Sequence, residues 1–281
     1  MKANHGATLT ISRALIYIFL VVLAIVTVIP IWLVLVNATR STVEIQQGLS
    51  ALPSTNLLNN YGILEGRGLN LGRGFTNSLF VAVCSTVLAV YFSLLTAYGI
   101  VVYDFRGKQV FTSFIILLVL IPMQLSIIGF YQYMSRLGLT DNYASLILPV
   151  IASAGAVFFG KQYFESVVVR DLIDAGRVDG AGEFGIFHRI MMPIAVPGAV
   201  TLGIFAFVAA WNNFFNAFIL ISSIKKYTLP MLVQLMRGDV YRTEYGAIYL
   251  GLAVTIVPII VIYLIFSRFI VNGIAMGAVK E

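Results

Sequence analysis

Few residues in this chain have the types and spacing that chemistry at a nucleotide would need. The stretch from Gly155 to Lys161 matches the G-x-x-x-x-G-K spacing of a phosphate-binding loop. Gln162 follows it, however, where such a loop needs a serine or threonine hydroxyl to bind magnesium. The residues between the two glycines are apolar, and no soluble strand precedes them. We therefore expect this chain to bind no nucleotide.

Metal binding and nucleophilic catalysis have no better candidates. The two histidines, His5 and His188, are far apart, and no cysteine and histidine cluster has metal-ligand spacing. The single cysteine, Cys84, lies inside an apolar run, which is typical of a small buried residue. No nucleophile-elbow motif occurs. The sequence predicts no catalytic residue, no metal site and no cofactor bound by this chain, so we expect it not to be an enzyme.

The elements that would position any functional residue are membrane helices. Apolar residues make up 59% and charged residues 11% of the 281 residues, whereas soluble domains have about 45–50% and about 25%. A surface in contact with lipid must be apolar, so we predict an all-α polytopic membrane protein. The basic residues behind the net charge of +6 are scattered over the connecting segments, which favours lipid headgroups over nucleic acid as their partner.

About six transmembrane helices are predicted, because six uncharged apolar stretches are close to or longer than the roughly 20 residues that a span needs. They are Ala14–Val36, Ser78–Tyr103, Val110–Met134, Ala144–Gly160, Pro197–Ile221 and Gly246–Ser267. With both termini in the cytoplasm, the cytoplasmic segments would carry ten lysines and arginines and the external segments eight. Cytoplasmic loops usually carry the excess, so the charges favour this orientation only weakly.

The segment between the fourth and fifth spans is too long for a turn and too charged for lipid. Its first part, residues 166–178, has helical spacing of apolar residues, and Gly180 and Gly182 then interrupt the helix. The next predicted helical face holds the apolar residues Phe184, Phe187, Ile190 and Met191. Such an amphipathic helix–turn–helix could dock into a groove on a soluble partner or lie on lipid headgroups. Physical reasoning alone favours neither.

Three short stretches of this segment resemble a family signature. They are Asp174-Ala175-Gly176, Asp179-Gly180-Ala181 and Ile190-Met191-Met192-Pro193. Together they are similar to the E-A-A-x-x-x-G-x9-I-x-L-P signature of the membrane subunits of binding-protein-dependent ABC importers. Aspartate replaces the glutamate, glycine the second alanine and methionine the leucine. The glycine should loosen the helix by roughly 1 kcal/mol.

Three further stretches resemble the sugar-transporting members of that family. They are Ala210-Trp211-Asn212-Asn213-Phe214, Tyr227-Thr228-Leu229-Pro230 and the tail from Val271 to Lys280. The first is similar to a W-N-x-F element of the fifth span and the second to a T-L-P element of the last external loop. The third resembles the end of MalG-type maltose permease subunits. The resemblance covers about residues 75–280 and implies the permease subunit of an ABC sugar importer.

The resemblance also implies a type I ABC importer permease fold and a set of partners. These are a second related permease subunit, an ABC ATPase dimer that binds ATP and magnesium, an extracytoplasmic solute-binding protein and the lipid membrane, with no nucleic acid. The expected location is a bacterial or archaeal cytoplasmic membrane, with both termini cytoplasmic. Three regions are predicted: residues 1–73 with the first span and an external loop, 74–272 with the transmembrane core and a coupling loop at 165–196, and a cytoplasmic tail at 273–281.

Individual roles follow from the same resemblance. Contact with the ATPase is expected of Asp174, Ala175, Gly176, Asp179, Gly180, Ala181, Phe184 and Phe187, with the two phenylalanines forming an exposed apolar knob. The tail at 273–280 is expected to touch the ATPase pair. The loop at 222–245 is expected to face the binding protein.

Polar residues inside the spans are candidates for a translocation path. They are Asn212, Asn213, Asn216 and Gln124. Amide side chains both donate and accept hydrogen bonds, which suits sugar hydroxyls. They also commonly join helices to each other, and the sequence favours this structural interpretation without excluding the path.

Other functions remain open from the sequence. Permeases of other ABC importers carry peptides or glycerol-phosphate, and only the W-N and T-L-P elements argue against them. An ion-coupled secondary transporter would need ionisable residues within its spans, and these spans carry almost none. A membrane scaffold without transport activity would leave the segment between the fourth and fifth spans without a role.

Overall fold

The computed structural model describes residues 4–168, 170–237 and 243–278, and the side chains of residues 13–122, 125–168, 170–237 and 243–267. Its α-helices are α1 Asn4–Ala38, α2 Thr42–Gln46, α3 Leu57–Gly66, α4 Leu71–Val102, α5 Lys108–Leu120, α6 Ile127–Arg136, α7 Ala144–Ile147, α8 Ala154–Val167, α9 Arg170–Val178, α10 Glu183–Ile186, α11 Met192–Trp211, α12 Phe214–Leu220, α13 Leu229–Arg237 and α14 Tyr245–Ala278. Short 3₁₀ turns occupy Met123–Ser126, Leu148–Ala152 and Ile224–Lys226, and a π-helical turn occupies Phe187–Met191.

Five helical stretches of the described chain are long and apolar enough to cross a membrane. They are Arg13–Ala38, Leu71–Val102, Ala144–Val167, Glu183–Trp211 and Tyr245–Ser267. The shorter apolar helix α5 lies between the second and third of these in the chain. The prediction of an all-α polytopic membrane protein with about six membrane helices is confirmed.

The third predicted span is interrupted rather than continuous. α5 ends at Leu120, and Pro122 then leads through a 3₁₀ turn into α6. Proline lacks the backbone N–H that a helix uses and drives the residue before it into an extended conformation. Ile121 accordingly has ψ 120°. The predicted span over Val110–Met134 therefore consists of two helices on either side of a turn at Pro122.

The fifth predicted span begins earlier than expected and is broken near its end. The helical stretch starts at Glu183, passes through the π-helical turn and continues to Trp211. The chain then leaves the helix at Asn212 and Asn213 and enters α12. The amphipathic part of the 165–196 segment is thus the beginning of the span helix itself.

The chain divides into two compact units. The first contains residues 1–71 and 233–256, and the second contains residues 72–232 and 257–281. The predicted boundaries at residues 73 and 272 stay predictions.

Buried polar groups hold the first unit together. The side-chain amide of Asn60 donates to the carbonyl oxygens of Ala38 and Arg40, at 2.8 and 3.0 Å. A Cβ atom on Gly246 would lie only 2.3 Å from the carbonyl oxygen of Arg40. Only glycine allows such a close approach of two backbones, so the first turn of α14 depends on Gly246.

Two large hydrophobic clusters lie in the core of the second unit. The first contains Leu94, Ala97, Tyr98, Ala156, Tyr163, Phe164, Ile173, Ile186, Phe187, Met191, Ala195 and Leu202. The second contains Val81, Met134, Leu146, Ile147, Ala217, Leu220, Ile221 and Met231. Membrane helices associate through close packing at small residues, and Gly160 provides one such site because a Cβ there would lie 3.1 Å from that of Ala97.

Candidate functional site

The 165–196 segment contains two helices joined by a tight turn. The N–H of Ala181 donates to the carbonyl of Gly176, and the N–H of Gly180 to that of Arg177, both at 3.0 Å. This pair of bonds is the Schellman motif that ends many helices. Gly180 has φ +79°, a conformation that residues with a side chain rarely adopt. The shape of the turn therefore depends on glycine at this position.

Gly176 lies where α9 packs against the beginning of the next helix. A Cβ atom there would lie 2.9 Å from Cδ1 of Ile190 and 3.3 Å from Cγ1 of Ile186. The glycine that replaces the second alanine of the signature therefore permits a close contact in this chain, in addition to its effect on helix propensity.

The residues expected to contact an ATPase divide into an exposed and a buried set. The exposed ones are Asp174, Ala175, Asp179, Gly180 and Phe184, whereas Gly176 and Phe187 are buried and Ala181 is half-buried. The exposed fraction is 69% for Phe184 and 0% for Phe187. The prediction that both phenylalanines form an exposed knob is therefore wrong for Phe187.

The burial of Phe187 has a local cause. Residues three apart on a helix lie roughly 60° apart around its axis, so packing against α4 can cover Phe187 and leave Phe184 exposed. The ring of Phe187 packs in the first hydrophobic cluster, with its centroid 5.4 Å from that of Tyr98 and 6.1 Å from that of Tyr91. It fixes the segment to α4 within this chain.

Sequence reasoning missed a second exposed apolar residue. Val178, the last residue of α9, is 88% exposed. It stands on one side of the glycine turn and Phe184 on the other. The available signal was an apolar residue directly before the Asp179-Gly180 pair, where a turn residue is usually polar.

A polar network around Glu183 joins α9 and α10 to the end of α4. The carboxylate of Glu183 accepts hydrogen bonds from Arg177 Nε at 2.9 Å, from the Tyr98 hydroxyl at 3.3 Å and from the Tyr103 hydroxyl. Arg177 also donates to Asp174 at 3.0 Å. Its bond to Glu183 is the main reason why the pKa of Arg177 lies above its usual range, so the guanidinium stays charged. No sequence motif indicated this network.

His188 makes a second polar link from the segment to α4. Its Nδ1 lies 2.7 Å from the carbonyl oxygen of Phe184, and its Nε2 lies 3.1 Å from the hydroxyl of Tyr91. Because a carbonyl can only accept, Nδ1 carries the proton, and a neutral ring then accepts from Tyr91 at Nε2. The structure therefore gives His188 a positioning role between the segment and α4.

The three asparagines lie at the break between α11 and α12. Asn212 is exposed, and Asn213 and Asn216 are half-buried. The side chain of Asn213 accepts a hydrogen bond from the N–H of Asn216 at 3.4 Å, which caps α12. Asn213 thus has a local structural role at the start of α12. The sequence had instead favoured a hydrogen bond between two helices.

Some predicted site residues lie outside the described part of the structure. The side chain of Gln124 and those of the tail at 273–281 are among them, as are residues 238–242 of the loop at 222–245. Their predicted roles stay predictions.

A separate polar cluster joins two connecting segments at the other predicted side of the membrane. We call Asp141, Ser222, Ser223 and Lys226 the Asp141 cluster. The carboxylate of Asp141 accepts from the N–H groups of Ser222 and Ser223, at 3.1 and 2.9 Å, from the Ser223 hydroxyl at 2.6 Å and from Lys226 at 3.1 Å. These bonds, chiefly those from Ser223, hold the pKa of Asp141 well below its usual range. No pattern in the sequence predicted this cluster.

The T-L-P element at residues 228–230 follows this cluster in the chain, and hydrogen bonds hold its start against α4. The amide of Asn77 donates to the carbonyls of Lys225 and Tyr227, each at 3.0 Å. The N–H of Leu229 donates to the hydroxyl of Ser78 at 2.8 Å. These bonds give the start of the loop at 222–245 a defined position on the second unit.

Comparison with known proteins gives a family and a fold. Residues 89–275 match the family described as binding-protein-dependent transport system inner membrane component. The chain is 31% identical to an arabinooligosaccharides transport system permease protein of Bacillus subtilis, over 99% of both chains. It is 26% identical to an sn-glycerol-3-phosphate transport system permease protein of Rhizobium meliloti, over 94% of this chain and 96% of the relative.

A solved structure has the same fold. It is that of a bacterial ABC transporter involved in the import of the acidic polysaccharide alginate, with a TM-score of 0.80, 22% identity, and coverage of 95% of this chain and 98% of that chain. The extent of the family match, together with the apolar helices, identifies the class of protein. The chain belongs to the family of inner membrane components of binding-protein-dependent transport systems, and it is a multi-pass membrane subunit with a role in transport.

Proposed function

We propose that this chain is the permease subunit of an ABC importer for a sugar or oligosaccharide, and that its 165–196 segment couples it to an ABC ATPase. The carrying observation is the rigid presentation of exposed apolar residues on a charged segment: Phe184 is 69% exposed and Val178 is 88% exposed. Asp174 and Asp179 are exposed beside them. An apolar anchor with a polar rim is the pattern of a protein interface.

The packing of Phe187 explains how a force on this segment would reach the membrane helices. Phe187 shares one hydrophobic cluster with residues of α4, α8 and α11. Well-packed clusters move as rigid bodies rather than deforming continuously. Movement of a docked ATPase would therefore tilt these helices together and alternate access to a path in the membrane. ATP and magnesium would be held by the ATPase, which leaves this chain a mechanical task.

The orientation proposed here places the 165–196 segment and both termini in the cytoplasm. The Asp141 cluster and the T-L-P element then face outwards, where a solute-binding protein would dock. A second, related permease subunit completes the path. Asn212, exposed at the break between α11 and α12, is the residue we expect to meet sugar hydroxyls, since discontinuous helices commonly form substrate sites.

Purification of the tagged chain from membranes in mild detergent tests this proposal. Mass spectrometry should find an ABC ATPase and a second permease with the unmodified chain. The variant Phe184→Asp should lose the ATPase and keep the second permease, because the charge would be buried in the contact. The matched control Phe184→Tyr should keep both. A chain that brings down no ATPase would overturn the importer proposal and favour a secondary transporter.

The nature of the substrate is tested separately. Proteoliposomes with the complete complex and its binding protein should take up labelled oligosaccharide only with ATP. Unlabelled sn-glycerol-3-phosphate should not compete. Competition by the phosphate compound alone would favour the alternative suggested by the Rhizobium meliloti relative, while leaving the coupling role intact.

A further inference from the structure

The connection that follows α1 contains an uncharged turn with exposed leucines. Between Glu44 and Glu65 the chain carries no charged residue. Within this stretch, Leu49 is 87% exposed and Leu52 is 76% exposed. The two leucines are close together in the chain, and a contiguous exposed apolar patch commonly marks a contact with protein or membrane. We call residues 48–52 the leucine turn.

The leucine turn folds back alongside the membrane helix α1. The indole Nε1 of Trp32 donates a hydrogen bond to the carbonyl of Ala51 at 3.0 Å. Trp32 precedes the end of α1 at Ala38 by six residues, or about 9 Å along the axis. The headgroup layer on one side of a bilayer is roughly 5–8 Å thick. With the end of α1 at the outer surface of the headgroup layer, Trp32 would lie near the boundary between headgroups and acyl chains, where tryptophan is enriched, and the turn would lie beside it.

Several polar backbone groups of the turn have partners within the first unit. The carbonyl of Gly48 accepts from the guanidinium of Arg40 at 3.0 Å. The hydroxyl of Ser50 accepts from the N–H of Leu52 at 3.1 Å and donates to its carbonyl at 3.2 Å. Trp32 satisfies the carbonyl of Ala51. Unpaired backbone groups are costly in a region poor in water, so each of these bonds lowers the cost of entry.

The apolar surface of α1 continues that of the turn. In its most apolar window, none of the span Arg13–Ala38 is buried by the rest of the described chain, and Trp32 is itself 49% exposed. From this continuity, the place of Trp32 near the end of α1, the absence of charge and the partly paired backbone, we propose that the leucine turn inserts into the bilayer interface. Leu49 and Leu52 would contact lipid at the headgroup and acyl boundary and fix the height of α1 in the membrane.

Depth-dependent fluorescence quenching tests this proposal on the assembled complex in lipid nanodiscs. Cys84, the single cysteine, is first replaced by alanine. An environment-sensitive NBD label is then attached in separate variants at Leu49→Cys and Leu52→Cys. Val26→Cys, in the exposed part of α1, gives the reference for a lipid contact. Asn59→Cys, exposed on α3, gives a reference in the same connection but outside the turn.

We expect phospholipids with a nitroxide near the top of the acyl chain to reduce the fluorescence at both turn positions by about twofold or more, as for interfacial segments. Aqueous iodide should have little effect there. Strong quenching by iodide at Leu49→Cys and Leu52→Cys would overturn the proposal by showing a turn in water. Quenching by neither agent would also overturn it, because the turn would then be covered by another subunit. Neither result depends on the transported substrate.

Discussion

Polar bonds hold a connecting segment of the second unit in place both in the 165–196 segment and in the Asp141 cluster, but the two regions differ in what they leave exposed. The Glu183 network and the buried Phe187 fix α9 and α10 and leave Phe184 outside. In the Asp141 cluster, the carboxylate instead accepts hydrogen bonds from donors in a second connection, among them Ser223 and Lys226. The first arrangement is suited to meet a partner through apolar contacts. The second closes two connections onto each other, so its disruption should affect local order rather than coupling.

The largest expected effect separates the two phenylalanines of the coupling segment. Phe184→Ala should leave the amount of membrane protein unchanged and weaken ATPase binding by about 30-fold, the size of an interface hot spot of about 2 kcal/mol. Phe187→Ala should instead lower the thermal stability of the chain, since removing a buried phenylalanine costs about 3–5 kcal/mol. Pull-down with the ATPase and thermal unfolding measure the two effects. Equal loss of ATPase binding at unchanged stability in both variants would contradict the division into exposed and buried residues.

A matched pair of glycine substitutions tests whether the shape of the turn matters for coupling. Gly180→Val places a β-branched residue at φ +79°, where even an ordinary side chain costs about 1–2 kcal/mol. Gly182→Val makes the same chemical change at φ −69°, which valine can adopt. We expect uptake in proteoliposomes to fall about tenfold or more for Gly180→Val and to change little for Gly182→Val. Normal uptake by Gly180→Val would count against the coupling role.

The next effect concerns the network behind the exposed surface. Glu183→Gln keeps the shape of the side chain but removes its negative charge. The carboxylate that pairs with Arg177 and accepts hydrogen bonds from Tyr98 and Tyr103 is then lost. We expect a several-fold decrease in uptake and in ATPase activity stimulated by the binding protein, at unchanged assembly. Asp141→Ala should show the reverse pattern, with a lower unfolding temperature and smaller changes in coupling. If both variants changed uptake, ATPase activity and unfolding temperature in the same way, the proposed difference between the two regions would be contradicted.

The sequence predicted the class of fold and the helical interruption in the 165–196 segment for clear physical reasons. Long uncharged apolar stretches have few alternatives to membrane helices, and Gly180 and Gly182 correctly indicated an interruption. The exposure of Phe187 was mispredicted because helical spacing alone does not show which side chains a second helix covers. The Glu183 network and the Asp141 cluster were missed because their members are distant in sequence: Glu183 and Tyr98 are 85 residues apart. Such contacts depend on which helices pack together, and the periodicity of one helix does not predict this.

The smallest expected effect is that of pH on the Asp141 cluster. The pKa of Asp141 in the folded chain lies below the value of about 3.9 of a free aspartate. A carboxyl group with a lowered pKa stabilises the folded state above its unfolded pKa and loses that contribution as the pH falls through the folded one. Asp141 should therefore cause no change in unfolding temperature between about pH 5 and 8. Asp141→Asn should lower the unfolding temperature throughout this range and reduce its further fall below pH 4. A decrease between pH 5 and 8 that Asp141→Asn abolishes would show that the carboxylate is not held by these hydrogen bonds, and the contrast with the coupling segment would then lose its electrostatic basis.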